Sequence, residues 1–345
     1  MHHDITVGLD LGDRTSDCCV LDASGEVTER GRVVTTRRGL TRWFSKRSSC
    51  RVALEVCIHS PWVSRLLREL GHEVVVAHAA KVPLIYQNVR KGDRVDAHAL
   101  ARLARFDPEL LSPVEHRSAR AQEDLQLIRS REALVKSRTQ LINHVRSSVK
   151  VHGHRLTQCS AESFARKASP EIPEALQAAL LPILAVIAEL NGNIRDYEKS
   201  IEALAQSYPE VEVLRQVPGV GPITALSYVL TLERPERFAR SRDVGPYLGM
   251  TPKRRQSGAS DPHLRISKAG NRYLRRLLVG CAHYILGPFG PESQLRQWGL
   301  AKAGHGGKNG KKRAVVAVAR KLAVLLHRLW STGEVYRPFP QTVEV

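Results

Sequence analysis

The sequence predicts an α/β region followed by mainly helical ones, and three observations carry that expectation. Short apolar runs near the N-terminus are joined by turn signals and then alternate with helical stretches. The middle of the chain repeats its apolar residues every seven positions, the mark of long helices packed side by side. The last part reads as helices separated by turns rich in glycine and proline. With 345 residues the chain has room for two domains or more, each with its own core. The expected regions are 1–112, 113–207 and 208–345.

In the first region, residues 5–11 (ITVGLDL), 17–21 (DCCVL) and 27–36 read as three strands with short connections, Ser24-Gly25 marking one turn. A helical stretch near 40–46, a strand at 51–56 (RVALEV), a helix at 61–70 and a strand at 73–78 (EVVVAH) follow. Strands that begin as an antiparallel meander and then alternate with helices make a mixed sheet flanked by helices.

Four carboxylates stand out in this frame. Asp10 and Glu55 each sit in an otherwise apolar strand, where a charge is costly unless paired or metal-bound. Asp93 and Asp96, three apart in KGDRVDAHALARLARF, share one face of the opening turns of a helix. Singly, each reads as a strand-end or helix-N-terminal charge. Together they form a set of hard oxygen ligands suited to Mg²⁺, with Mn²⁺ as a substitute, and to phosphoryl transfer.

The middle region opens on a long amphipathic helix, with Leu127/Ile128, Leu134/Val135 and Leu141/Ile142 in its apolar stripe. After a polar break over 152–163, a second seam runs Ile183, Ile187, Leu190, Ile194, Tyr197, Ile201, Leu204. Its alternating spacing of four and three is that of a coiled coil. Such helices pack on each other within one chain or pair between subunits, and the spacing allows both.

In the last region, helix, Pro218-Gly219-Val220-Gly221 and helix follow in turn, and glycines at 219 and 221 let backbone N–H groups approach a phosphate. Ser257 then lies at the centre of a turn-rich stretch among Lys253, Arg254, Arg255, Arg265, Lys268, Arg272, Arg275 and Arg276. A hydroxyl among guanidinium groups suits attack on a phosphodiester, and equally an ordinary phosphate-binding loop. Asn271 is the expected N-cap of a helix over 272–286. A flexible basic stretch, 303–313, ends in Lys311, Lys312 and Arg313 and leads into a final helix over about 314–330. His263 and His305 are read as surface histidines.

The charge agrees with a polyanionic partner. The formal net charge is +19, and residues 251–345 hold 18 Lys and Arg against 4 Asp and Glu. Residues 1–112 hold 17 against 14. This asymmetry implies chemistry in the first region and polyanion grip in the last. The six cysteines form no C-x-x-C pair and read as reduced residues of a cytoplasmic protein. No uninterrupted apolar run of membrane-spanning length is seen, so no membrane partner is expected.

An aspartate on the first strand, a glutamate on the fourth and a late D-x-x-D helix resemble the RNase H-like nucleases of the Holliday-junction-resolvase type. With Ser257 added, the chain resembles the DEDD transposases of bacterial insertion sequences, the bridge-RNA-guided recombinases. The markers are VGLDLG at 7–12, ALE at 53–55, KGDRVDA at 91–97, PGVGPITA at 218–225, YLGMTP at 247–252, QSG at 256–258 and ISKAGNRYLRRLL at 266–278. Two positions depart from the pattern: no glycine follows soon after Glu55, and residue 92 is Gly where a small polar residue is frequent.

The resemblance implies an RNase H-like fold for the first region and a helix-hairpin-helix element around Gly219 and Gly221. It implies Mg²⁺ on Asp10, Glu55, Asp93 and Asp96, Ser257 as nucleophile, and donor and target DNA as substrates. It further implies selection of those DNAs by a structured non-coding RNA, and a homo-oligomer, dimer to tetramer, with an active site shared between subunits. The alternatives are a junction-resolving nuclease in which water attacks, and a nucleic-acid-binding protein without catalysis.

Overall fold

The computed structural model describes residues 4–78, 93–258, 260, 262, 264–305 and 307–339, with the side chains of 93, 94 and 308 outside that description. It divides into two compact units, Met1–Arg117 and Ser118–Val345.

The first unit is built on strands β1 (Thr6–Asp10), β2 (Thr15–Leu21), β3 (Val27–Val34), β4 (Arg51–Glu55) and β5 (Glu73–Ala77), in the order β3-β2-β1-β4-β5. β1, β2 and β3 are antiparallel neighbours, whereas β1, β4 and β5 run parallel. This is the mixed sheet expected from the sequence, and it fits an RNase H-like domain.

Strand alternation decides what covers each face. Val7, Leu9, Val20, Val52, Leu54 and Val76 point to helices α1 (Arg37–Phe44) and α2 (Ser60–Glu69), closing over Leu40, Phe44, Val63 and Leu67. The opposite face carries Gly8, Cys19, Leu21, Ala53, Val75 and Ala77, and receives helix α3 (Asp93–Phe106) through Ala97, Leu100, Ala101 and Ala104. Small residues let α3 lie very close. A Cβ on Gly8 would sit 1.9 Å from the Ala97 carbonyl oxygen, so no other residue fits there.

The second unit is helical. α4 (Ala119–Val151) and α6 (Glu174–Ala205) are antiparallel, as the pairing of Arg131 with Glu198 and of Arg138 with Asn191 requires. Of the two arrangements the sequence allowed, the hairpin within one chain is present. At its far end Ile142, Val145 and Val149 enclose Leu180, Leu184, Ile187 and the short helix α5 (Phe164–Ala168). At mid-length a polar layer interrupts the apolar seam. Arg138, 7 % exposed, donates from Nη1 to Asn191 Oδ1 at 2.7 Å and pairs through Nη2 with Glu162 at 3.2 Å.

The near end of the hairpin does not form a region apart from residues 208–345. Leu125, Ile128, Ile201 and Ala205 join one core with α7 (Pro209–Arg215), α8 (Pro222–Leu232), α10 (Arg272–Leu286) and α12 (Gly310–Thr332). Only by lying against those helices do they bury their apolar stripe, so three expected regions become two units. Tyr228, fully buried, donates its hydroxyl to the Ala323 carbonyl at 2.6 Å within that core. A single-turn helix, α9 (Val244–Tyr247), precedes the basic stretch.

Two further departures are local. Helix α11 (Gln294–Gly304), capped by Ser293, was not expected, and it packs along α12 where Gly299 makes room for Val318 and Leu286. Lys311, Lys312 and Arg313 belong to the first turns of α12 and not to a flexible stretch. Helix α6 is also long and apolar enough to cross a membrane by length and composition, with mean hydropathy 1.6 over its most apolar window. In the fold its seam residues Leu180, Leu184, Ile187, Ile194 and Ile201 are buried instead within the second unit.

Candidate active site and nucleic-acid interface

The acidic residues of the first unit are placed by strand register. Gly8 lies opposite Ala53 and Leu9 opposite Leu54, so the next rung sets Asp10 beside Glu55 on neighbouring parallel strands. Asp10 is two residues on from Gly8, and Glu55 two on from Ala53, so both side chains leave the sheet on the α3 face. The direction of α3 follows from its far end, where the Ala104 carbonyl accepts from Arg51 at the start of β4. Its N-terminal end, with Asp93 and Asp96, therefore overhangs the strand ends that carry Asp10 and Glu55. Asp96 immediately precedes Ala97, which touches Gly8.

Burial is consistent with a site at the carboxyl ends of the inner strands β1 and β4. Asp10, Glu55 and Asp96 are half-buried, and one carboxylate oxygen on each of Glu55 and Asp96 is shut off from solvent. Among the described residues no three acidic, histidine or cysteine side chains are grouped tightly enough to hold a metal ion by themselves. Asp93 opens the helix, but its side chain lies outside the described residues, as does the preceding part of the KGDRVDA motif. Among the described residues the candidate ligands at these strand ends, Asp10, Glu55 and Asp96, are carboxylates, the donor type that suits a hard divalent cation.

Two features here escaped the sequence reading. Asp17 pairs with Asp10 across the β1–β2 ladder and lies on the same face, 4 % exposed, with Arg32 Nε at 3.2 Å. Its place inside DCCVL was the available signal, because an aspartate in a buried strand needs a counter-charge. In the loops that follow β1 and β4, His59 Nε2 faces Asp13 at 3.3 Å. Trp62 Nε1–H donates to His59 Nδ1 at 3.2 Å, which puts the imidazole proton on Nε2, towards Asp13.

Ser257 lies at the tip of a hairpin in the second unit. Ser267 N–H donates to the Thr251 carbonyl at 2.9 Å and Lys253 N–H to Arg265 at 3.0 Å, and Pro252 bridges Ile266. The arms close where Ser257 and Ser260 exchange backbone hydrogen bonds of 3.1 and 3.0 Å. Gly258 takes a φ of +55° there, a left-handed turn conformation that suits glycine. Ser257 is exposed, and so are Lys253, Arg254, Arg255, Arg265 and Lys268 along the arms and Arg272 at the start of α10. Asp261, four residues on from the serine, and His263 lie outside the described residues.

Not every expected cation points outward. Arg275 Nη1 donates to the carbonyls of Leu248 and Ala269, at 2.8 and 2.6 Å, and so ties the hairpin base to α10. Arg276 is bonded to Glu132 on α4, which Lys136 also meets at 3.2 Å. Burial works to raise the Glu132 carboxyl, but the bonds from Arg276 and Lys136 outweigh it and hold the group below the usual range. Asn271 caps α10 as expected, accepting from Leu274 N–H at 3.0 Å.

Around the glycine turn, α7 and α8 flank residues 216–221. Gly219 has φ +89°, and a Cβ there would come within 2.6 Å of the Tyr284 ring. That glycine is demanded by conformation and by packing. Gly221, the N-cap of α8, has open space beside it, so its backbone is approachable from outside.

Comparison with known proteins assigns both units to one class. Residues 7–152 match a family model described as a transposase, of the DEDD IS110 type. Residues 211–295, which include the serine-tipped hairpin, match the model described as Transposase IS116/IS110/IS902 family. The chain belongs to this family of transposases. Among its relatives are the transposase for insertion sequence element IS1111A of Coxiella burnetii, 29 % identical over 96 % of this chain and 91 % of the relative. A probable family 20 transposase of Pseudomonas aeruginosa is 28 % identical, over 96 % of this chain and 98 % of its own. The transposase for insertion sequence element IS1328 of Yersinia enterocolitica is 26 % identical over the same shares.

Proposed function

We propose that this protein is the transposase of an insertion sequence, cutting and rejoining DNA strands through a covalent serine intermediate. The observation that carries this reading is the β1–β4 register, which puts Asp10 and Glu55 one step past the Leu9–Leu54 pair while α3 lies against Gly8, in a chain of this family. These carboxylates, with Asp93 and Asp96, would hold Mg²⁺. When bound, such a cation supplies Lewis acidity and neutralises charge at phosphate oxygens.

The remaining chemistry is assigned to the chain itself. Ser257 Oγ attacks the phosphorus, a serine–phosphate ester forms, and the bond to the 3′-oxygen breaks. The serine proton is lost to the surroundings and the leaving 3′-oxygen takes one up. Rejoining reverses the step: a 3′-hydroxyl from another strand attacks the phosphoserine and releases Ser257, so the number of phosphodiesters is unchanged. Lys253, Arg254, Arg255, Arg265, Lys268 and Arg272 hold the phosphates on either side, their charges matching those of the DNA backbone. Lys311, Lys312 and Arg313 open α12, where the helix dipole disfavours cations. An anionic partner relieves that conflict, and the Gly221 turn offers a further backbone contact.

Ser257 must be close to the carboxylates when DNA is bound, within one chain or between copies in a tetramer. An outward strip on α6, comprising Ala178, Leu181, Ala185 and Val186, is exposed and apolar, and supports association between copies. Choice of donor and target by a structured RNA belongs to the same reading and rests on the family resemblance.

The test is to incubate the protein with labelled DNA and Mg²⁺, denature it, and look for label retained on the polypeptide. Ser257→Ala should lose that adduct while still binding DNA. Nicking by Ser257→Ala at the wild-type rate would assign the attack to water and make the protein a junction-resolving nuclease. Absence of both adduct and nicking in the wild-type protein would leave only nucleic-acid binding.

A further inference from the structure

A cavity of about 460 Å³ lies against α11 and the start of α12, lined by Trp298, Ala301, Lys302, His305 and Arg313. The Trp298 indole packs partly against the main core of the second unit and is left half-buried. Two ammonium groups lie over its ring, Lys321 Nζ at 3.9 Å and Lys302 Nζ at 5.7 Å from the centroid. His305 Nδ1–H donates to the Ala301 carbonyl at 2.6 Å, which fixes the ring at the pocket wall. Among the described residues no acidic side chain lines the cavity.

We propose that this pocket takes one unstacked nucleotide of a single-stranded nucleic acid, its base against Trp298 and its phosphate on Lys302 and Arg313. The proposal rests on the reading of the protein as a nucleic-acid enzyme, but adds a site beyond the hairpin and the carboxylates. Three features select this ligand over others. The volume falls in the range of small-molecule pockets, roughly 300–1,000 Å³. A simple phosphate would need the cations but not an indole, and an apolar ligand would need the indole but not three cations around it. The Lys321 and Lys302 ammonium groups hold the π-face until a base takes it, and their long side chains then reach its phosphate, so indole and cations serve a base and its phosphate together. Stacking accepts any base because each has a π-face. Duplex DNA does not fit this requirement, since its bases are stacked on each other. The ligand is therefore a strand end, a loop or a displaced strand, from DNA or from RNA.

The experiment measures binding of the full chain to short oligothymidine and oligouridine strands, to an abasic strand of equal length, and to duplex DNA. Trp298→Ala should weaken binding to the base-bearing strands by on the order of tenfold and leave the abasic strand and the duplex unchanged. Trp298→Phe should keep most of the affinity. Ala301→Leu guards against misfolding in the tryptophan variant, since Ala301 is exposed on α11 and leucine suits a helix. Filling the cavity in this way should reproduce the base-dependent loss. A larger loss on oligothymidine than on oligouridine identifies DNA as the source, and the reverse identifies RNA. Equal loss on base-bearing and abasic strands, or no loss in either variant, overturns the proposal. Wild-type binding to none of the four probes would instead overturn the reading of the protein as a nucleic-acid enzyme.

Discussion

Asp10 and Glu55 show how a single residue acquires a role from its register. Each ends a strand whose three preceding residues are buried, and each leaves the sheet on the face where Gly8 and Ala53 admit α3. The sequence showed the charges in apolar strands, and the RNase H-like pattern placed them together. It did not show Asp17, because the partner that makes an aspartate tolerable in β2 is Arg32, fifteen residues away on the next strand. Nor did it show that Arg275 serves backbone carbonyls, since a cation in a basic run looks the same whether it meets phosphate or protein. Asp10→Asn, Glu55→Gln and Asp96→Asn should each cut DNA cleavage on the order of a hundredfold or more. Their melting temperatures should stay near wild type, because each swap is nearly isosteric and removes only a charge. Adding a chelator to the wild-type protein should do the same. Cleavage that survives all three substitutions would place the metal site elsewhere.

At the scale of elements, strongly periodic segments were legible and weakly periodic ones were not. The strands of the mixed sheet, the two long helices and α10 with its Asn271 cap follow from alternation, heptads and capping chemistry. Helix α11 has glycines at 299 and 304 and its apolar residues in no clear stripe, so it depends on its Ser293 cap and its packing on α12. The polar contacts between elements were equally hidden. Glu132 on α4, 7 % exposed, joins the hairpin to α10 through Arg276. Its carboxyl is held below the ordinary value of 4.5 in the folded protein. A depressed carboxyl contributes stability that is present above the unfolded value and lost as pH falls through the folded one. Glu132→Gln should therefore destabilise the protein at pH 7 by about 1–2 kcal/mol, the scale of a charge-assisted hydrogen bond partly open to water. The difference from wild type should shrink as pH falls below 4.5 and the carboxyl takes up its proton. Urea denaturation of both proteins at neutral and acid pH measures it, and a difference independent of pH would show that the Glu132 charge is not what joins the two helices.

Over the whole molecule, charge is sorted by unit. The near balance of residues 1–112 contrasts with 18 cations against 4 anions in residues 251–345. Self-repulsion of this size works against folding, and a bound polyanion offsets it. The exposed cations lie on the hairpin arms, at the start of α10 and on the first turns of α12, while Arg275 and Arg276 are tied within the protein. Enough remain for six to ten phosphates to be contacted at once. Each contact releases a condensed counterion from DNA, so affinity should fall roughly 10³–10⁵-fold between 50 and 200 mM salt. Replacing Lys311, Lys312 and Arg313 by Gln should lower the slope of log affinity against log salt by roughly three, one for each phosphate lost. Replacing Arg276 should lower it by much less, because its charge already meets Glu132. Filter binding or anisotropy across a salt series reads both slopes. A flat salt response in the wild type would remove residues 251–345 as the grip on DNA. Equal slopes for the Arg276 variant and the triple variant would show instead that Arg276 exchanges Glu132 for phosphate when DNA arrives.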